Sequence, residues 1–199
     1  MDETLLLWIN QGWANHGLDV FFSVLSSRRG FALPFAALLL LAFIWRWRKA
    51  GVQLWLVMMV AVGSGDYLGN NLKHVFAQHR PCYTLAAQVR QLHYPPGQPC
   101  GSSLTGMPSN HALNGFAAAA FLTLVLRRGV WSAVLFAVAA LVALSRVYLA
   151  KHYPSQIAAG ALFGALWGLF AAWLGLKYLP FIQRFRGQGA AENTEHDQD

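Results

Sequence analysis

Between residues 20 and 191 this chain carries a single carboxylate, Asp66, set within a series of long apolar runs. Backbone in hydrocarbon must satisfy its own hydrogen bonds, so such runs are expected to fold as helices that cross a membrane. The same scarcity of acids excludes several chemistries. Paired-carboxylate acid–base catalysis, two-metal centres and carboxylate cages for calcium or magnesium all need more acids than this core has. Of the 199 residues, 56% are hydrophobic and 12% charged, which is too apolar for a soluble domain of this length. The excess of Lys and Arg fits membrane topology and an anionic substrate. It does not fit nucleic acid, because no basic stripe interleaves with exposed aromatics.

The fold expected is all-α, a multi-pass transmembrane helix bundle in one domain over residues 1–186. Residues 1–30 form an N-terminal interfacial amphipathic segment, 31–176 the bundle, and 187–199 a disordered acidic tail. Five spans are read at about Phe31–Trp47, Val52–Leu72, Ala112–Leu126, Val130–Leu144 and Ile157–Leu176. The count becomes six if residues 4–26 also cross. The acidic start, with no cleavage site after an apolar core, argues against a removable signal peptide. Arg46, Arg48 and Lys49, then Arg127 and Arg128, then Lys177, Arg184 and Arg186 follow alternate spans, so these ends are expected in the cytoplasm, with the C-terminus. Trp45, Trp47, Trp55, Trp131, Trp173 and Tyr178 read as interface anchors, and the Gly160, Gly164, Gly168 spacing as a helix-packing stripe.

Three polar knots lie at the other ends of the spans, on the outer side. The central one, Gly106 to His111, feeds straight into an apolar run and should present an open helix N-terminus, which attracts anions. Upstream, Asp66, Asn70 and Lys73 share one helical face, followed by Arg80-Pro81. Asp66 is expected to have a hydrogen-bonding or cationic partner, in either a structural or a catalytic role. Downstream lie Ser145, Arg146 and His152, with Pro154 opening another helix. Two histidines at two helix mouths can divide labour, one attacking phosphorus and the other protonating the leaving oxygen. Cys82 and Cys100, the only cysteines, sit between the first two knots. An outward-facing loop permits a disulfide there, and two free thiols are the alternative.

Lys73, six residues, Arg80-Pro81, then Pro108-Ser109-Asn110-His111, then Ser145-Arg146, five residues and His152 resembles a known three-part signature. It is that of the type 2 phosphatidic acid phosphatase and vanadium haloperoxidase superfamily, in its membrane lipid phosphatase branch. The resemblance implies that Lys73, Arg80 and Arg146 bind phosphate with Ser109, Asn110 and the backbone N–H groups of the turn. It also implies His152 as nucleophile through a phosphohistidine and His111 as general acid, with no cofactor and no metal. Two positions depart from the pattern. Asn110 replaces a glycine, and Gln156 replaces the aspartate four residues after the nucleophile. An amide at 156 can still hold the imidazole but lacks the charge of a carboxylate, so aspartate there is expected to serve at least as well. Asp66 could supply the missing charge if its face turns toward His152.

The function implied is an integral membrane lipid phosphatase acting on a lipid phosphomonoester or diphosphate, such as undecaprenyl diphosphate, phosphatidic acid or phosphatidylglycerophosphate. The setting implied is a bacterial inner membrane with an outward-facing site. A lipid phosphotransferase and a non-catalytic lipid-phosphate binder are the alternatives. The sequence leaves headgroup and oligomeric state open.

Overall fold

The computed structural model describes residues 1–92, 94–127 and 129–185. They form helices α1 (Asp2–Gly12), α2 (His16–Leu25), α3 (Leu33–Phe76), α4 (Pro81–Thr84), α5 (Asn110–Leu126), α6 (Gly129–Tyr148) and α7 (Pro154–Tyr178). A single π-helical turn, Arg28–Ala32, leads into α3, and there is no β-strand among the described residues. The expected acidic tail at 187–199 lies outside them, as do Arg128 and Arg186.

The 44 residues of α3 are two antiparallel arms. Arg48 breaks the helix with φ 55 and ψ −129, and the Trp55 indole donates to the Ala36 carbonyl at 2.9 Å. In a straight helix residues 36 and 55 would be about 28 Å apart, so the chain reverses at Arg48. Gly51 permits the turn, because a Cβ there would overlap the Phe43 carbonyl. The arms correspond to the first two expected spans, and α5, α6 and α7 to the other three. Three segments, Arg28–Phe76, α6 and α7, are long and apolar enough to cross a bilayer, and α5 is a shorter apolar helix of 17 residues. α1 and α2, at 11 and 10 residues, are each only about 16 Å long and too short for ~30 Å of hydrocarbon. The chain is therefore a membrane helix bundle with an N-terminal segment lying across one end.

Side chains explain the packing. Gly160, Gly164 and Gly168 of α7 face the carbonyls of Ser109, Leu113 and Ala117 on α5, and a Cβ at any of them would overlap that carbonyl. Both series advance by four, so α5 and α7 run parallel in close backbone contact. The second arm of α3 joins them antiparallel. Gly65 receives Trp167 and Leu113, Gly69 receives Asn110 and Leu113, and the Trp167 indole donates to the Ala61 carbonyl at 2.9 Å. Leu38, Leu41, Val60, Leu162 and Leu166 are exposed on the outside, as lipid-facing residues should be. Trp45, Trp131, Trp173 and Tyr178 are exposed too, as expected of anchors. Trp47 and Trp55 instead pack against the core, because the hairpin at Arg48 turns both inward.

The N-terminal segment is fastened by polar contacts. Buried Asn10 donates to the carbonyls of Tyr148 (2.6 Å) and Arg90 (3.0 Å) and accepts from the Arg90 N–H (2.8 Å). Arg90 makes a bidentate pair with Asp19 at 2.6 and 2.9 Å, and the Tyr148 hydroxyl donates to the same carboxylate at 2.6 Å. Arg90 holds the Asp19 carboxyl below its usual range. These contacts seat α2 beside the end of α6 that carries Arg146.

Candidate active site

Four helix ends and one loop meet at one end of the bundle. α3 ends there with Lys73, α5 begins with Ser109, Asn110 and His111, and α6 ends with Arg146. α7 begins with Pro154 to Gln156, and the loop of residues 77–109 adds Arg80. The Ser109 N–H donates to the Gln156 carbonyl at 3.1 Å, which locks the mouths of α5 and α7 together. Cys82 and Cys100 form a disulfide with Cα atoms 5.5 Å apart, closing the loop over this end.

His152 is 3% exposed and stands on a bend made possible by Ala150 at φ 53, where the N–H groups of Lys151 and His152 both donate to the Arg146 carbonyl. Its hydrogen-bond contacts run to Nδ1: the Gly106 carbonyl at 2.8 Å and Gln156 Oε1 at 3.3 Å. A carbonyl only accepts, so Nδ1 carries the proton and Nε2 keeps its lone pair. Burial, then the charges of Arg146 and Arg80, push the imidazole well below its ordinary pKa, so the ring is neutral.

Gln156 does less for the imidazole than the sequence suggests. Its Oε1 accepts from the Tyr153 N–H at 3.1 Å, and its Nε2 donates to the His79 carbonyl at 3.0 Å and to Gln78 Oε1 at 3.3 Å. It is a brace between the loop and the start of α7, and it needs its amide donor. Asp66 does not reach His152 either. Its carboxylate accepts from Asn70 (3.2 Å), Asn110 (2.9 Å) and Asn114 (2.8 Å), a ring of amides between α3 and α5. Three neutral donors satisfy an intramembrane acid, and Asn70 passes the contact on to Lys73 at 3.3 Å. The Asn110 amide nitrogen donates to Asp66 and to the same Asn70 oxygen that Lys73 meets, while its Oδ1 is buried without a partner.

Among the described residues none of these cations makes an ion pair. The one ion pair among the described residues is Arg90–Asp19, away from this cluster. Arg80 touches the Thr105 hydroxyl at 3.2 Å, and burial lowers its pKa. Arg146 donates to the Ser26 hydroxyl. The Nε of both arginines and the Ser109 hydroxyl are buried without a partner, as groups waiting for an oxyanion would be. The Ser109 and Gly106 N–H groups are used within the protein, whereas the first N–H groups of α5 lack intrahelical partners and can meet an anion. His111 Nε2 stands 3.2 Å from the Ser26 carbonyl. Ser26 therefore touches both His111 and Arg146. Neither Ser26 nor the Gly106 carbonyl was legible as a site group, because one lies 85 residues from its partner and the other is backbone.

Residues 54–179 match the family model of the PAP2 superfamily, and all three parts of the signature lie within that stretch. The chain belongs to the PAP2 superfamily. Among curated proteins it is 32% identical over 167 residues to the undecaprenyl-diphosphatase of Sulfolobus acidocaldarius, covering 80% of this chain and 70% of that one. Among solved structures it resembles LpxE of Aquifex aeolicus, with a TM-score of 0.66, 28% identity, and coverage of 89% of this chain and 95% of the other. It also shares the fold of the PAP2-type phosphatidylglycerolphosphate phosphatase of Bacillus subtilis, with a TM-score of 0.63, 20% identity, and 88% and 87% coverage. In this chain the residues of the three-part signature come together at one end of a membrane helix bundle.

Proposed function

We propose that the protein hydrolyses a lipid phosphomonoester or diphosphate through a phosphohistidine on His152. The observation that carries this reading is a buried, neutral imidazole whose Nδ1–H is held by the Gly106 carbonyl, beside arginines that have no ion-pair partner among the described residues. In the proposed reaction Lys73, Arg80, Arg146, the Ser109 hydroxyl and the first N–H groups of α5 hold the phosphoryl oxygens. The lone pair on His152 Nε2 forms a bond to phosphorus, the bond to the leaving oxygen breaks, and that oxygen takes a proton from His111. A water then gives its proton to His111 and attacks phosphorus, the P–N bond breaks, and phosphate leaves. The positive charge on the phosphorylated ring is balanced by the phosphoryl group itself, which lessens the need for a carboxylate at position 156.

No step in this scheme uses a metal, and the cations fill the electrostatic role a metal would have. The undecaprenyl-diphosphatase relative supports a polyprenyl diphosphate as one substrate to try. We place the site on the outer face of a bacterial inner membrane. Arg46, Lys49, Arg127 and Lys177 stand at the opposite end of the bundle from the cation cluster, and a disulfide closes the site's own loop.

The test is phosphate release by purified protein in detergent from polyprenyl, glycerol and lipid A phosphates, with chelator and with vanadate. Release from at least one lipid that survives chelator and is blocked by vanadate is expected. Tight binding without release, transfer of the phosphoryl group to a second lipid, or a strict need for magnesium or zinc would overturn the scheme.

A further inference from the structure

Lys151 is a cation that the proposed chemistry does not use. It immediately precedes His152, and its N–H donates to the Arg146 carbonyl at 2.8 Å, so the bend that delivers the imidazole also delivers this ammonium. The Ala150 carbonyl accepts from the Cys82 N–H at 3.1 Å, tying the bend to the disulfide loop. That loop returns Tyr94, whose ring lies under Lys151 Nζ at 4.9 Å. The lysine is half-buried and has no ion-pair partner among the described residues. Burial, then the charges of Arg146 and Arg80, lower its pKa.

A lysine free to choose would turn to water or to an acid. This one is held on an aromatic face, partly desolvated, and near two arginines of like charge. Each of these terms costs free energy except the ring contact, and a bound anion would offset them. Lys73, Arg80 and Arg146 already suffice for one tetrahedral phosphoryl group, so the fourth cation suits a second negative group on the same ligand. Resting on the lipid-phosphatase reading, we infer that Lys151, carried by Tyr94, binds the second phosphate of a diphosphate headgroup, the one that stays with the lipid, and biases the site toward lipid diphosphates.

The test compares kcat/KM for a polyprenyl diphosphate and the polyprenyl monophosphate of the same tail, in wild type, Lys151→Gln, Lys151→Arg and Tyr94→Leu. One charge-assisted contact is worth about tenfold in affinity, so the diphosphate-to-monophosphate ratio is expected to fall by about tenfold in Lys151→Gln. It should fall partly in Tyr94→Leu and be kept in Lys151→Arg. An unchanged ratio in Lys151→Gln, whether both substrates lose equally or neither does, would overturn the inference. A second measurement stands apart from turnover: inorganic pyrophosphate and orthophosphate are titrated against thermal unfolding of the same purified proteins. Pyrophosphate should stabilise wild type at lower concentration than orthophosphate, and Lys151→Gln should remove that difference. If wild type hydrolyses no lipid phosphate, the lipid-phosphatase reading fails. The pyrophosphate titration still decides the role of Lys151, and an equal response to both anions in wild type contradicts it.

Discussion

His152 Nδ1 lies 2.8 Å from the Gly106 carbonyl oxygen and 3.3 Å from Gln156 Oε1, so a backbone acceptor is the nearer support of the ring. Gly106 can serve because its own N–H is fixed by the Gln78 carbonyl at 2.7 Å, and because a Cβ there would crowd the His79 carbonyl and the Gln156 amide.

That relationship decides what substitution at 156 should do. The Gln156 amide donates to the His79 carbonyl, and a carboxylate would set oxygen against oxygen. Gln156→Glu is expected to cost about 1–3 kcal/mol of stability from the lost donor, and to lower turnover with it. Thermal unfolding in detergent and a phosphate-release assay check this together. Higher activity in the variant would mean that negative charge beside His152 is limiting, against the present account.

The depressed pKa of His152 has a defined pH signature. The unfolded chain takes up a proton near pH 6.5, whereas folded His152 refuses it until well below that value. Between the two values the unfolded state binds more protons, so stability rises with pH there. The contribution of His152 is complete above about pH 6.5 and declines as pH falls below it. Melting temperatures of wild type should therefore drop more steeply on acidification from pH 7 than those of His152→Gln. Parallel curves would contradict a buried neutral ring.

Helix packing gives a prediction with its own control. Gly164→Ala would drive a Cβ into the Leu113 carbonyl, and overpacking of this kind costs about 1–3 kcal/mol. At Gly63, also inside a helix, a Cβ meets nothing within 4 Å, so Gly63→Ala should not destabilise and should add up to about 1 kcal/mol through the better helix propensity of alanine. Equal effects in the two variants would rule out the close approach of α5 and α7.

Orientation is tested by labelling. A reporter fused after Lys177 should report cytoplasm, and one inserted near Gln98 should report the outside. Cys82 and Cys100 should alkylate only after reduction. The reverse reporter pattern would move the site to the cytoplasmic leaflet.

Much of this architecture was legible in the chain. The spans follow from apolar length, and the Gly160, Gly164, Gly168 spacing from its period of four, because both are local properties of sequence. The inward turn of Trp47 and Trp55 was not legible, since it depends on how sharply the chain reverses at Arg48. The site was legible where it is made of side chains in a spaced signature. It was hidden where backbone serves, as at Gly106, or where a distant turn intrudes, as at Ser26. Asp66 was rightly expected to need partners, but no spacing could show that Asn114, one helical turn after Asn110, would help to close a ring of amides around it. Gln156 was read correctly as a partner of the ring, which its Oε1 meets at 3.3 Å, but no spacing could show that the loop at His79 would claim its amide donor.

The most direct measurement is a rapid acid-free quench of turnover on a lipid labelled in its reacting phosphate, followed by peptide mapping. The account expects label on the peptide containing His152, attached through Nε2, stable to base and released by acid, and absent from His152→Ala. Label on His111, no covalent label under conditions of full turnover, or full phosphatase activity in His152→Ala would contradict it.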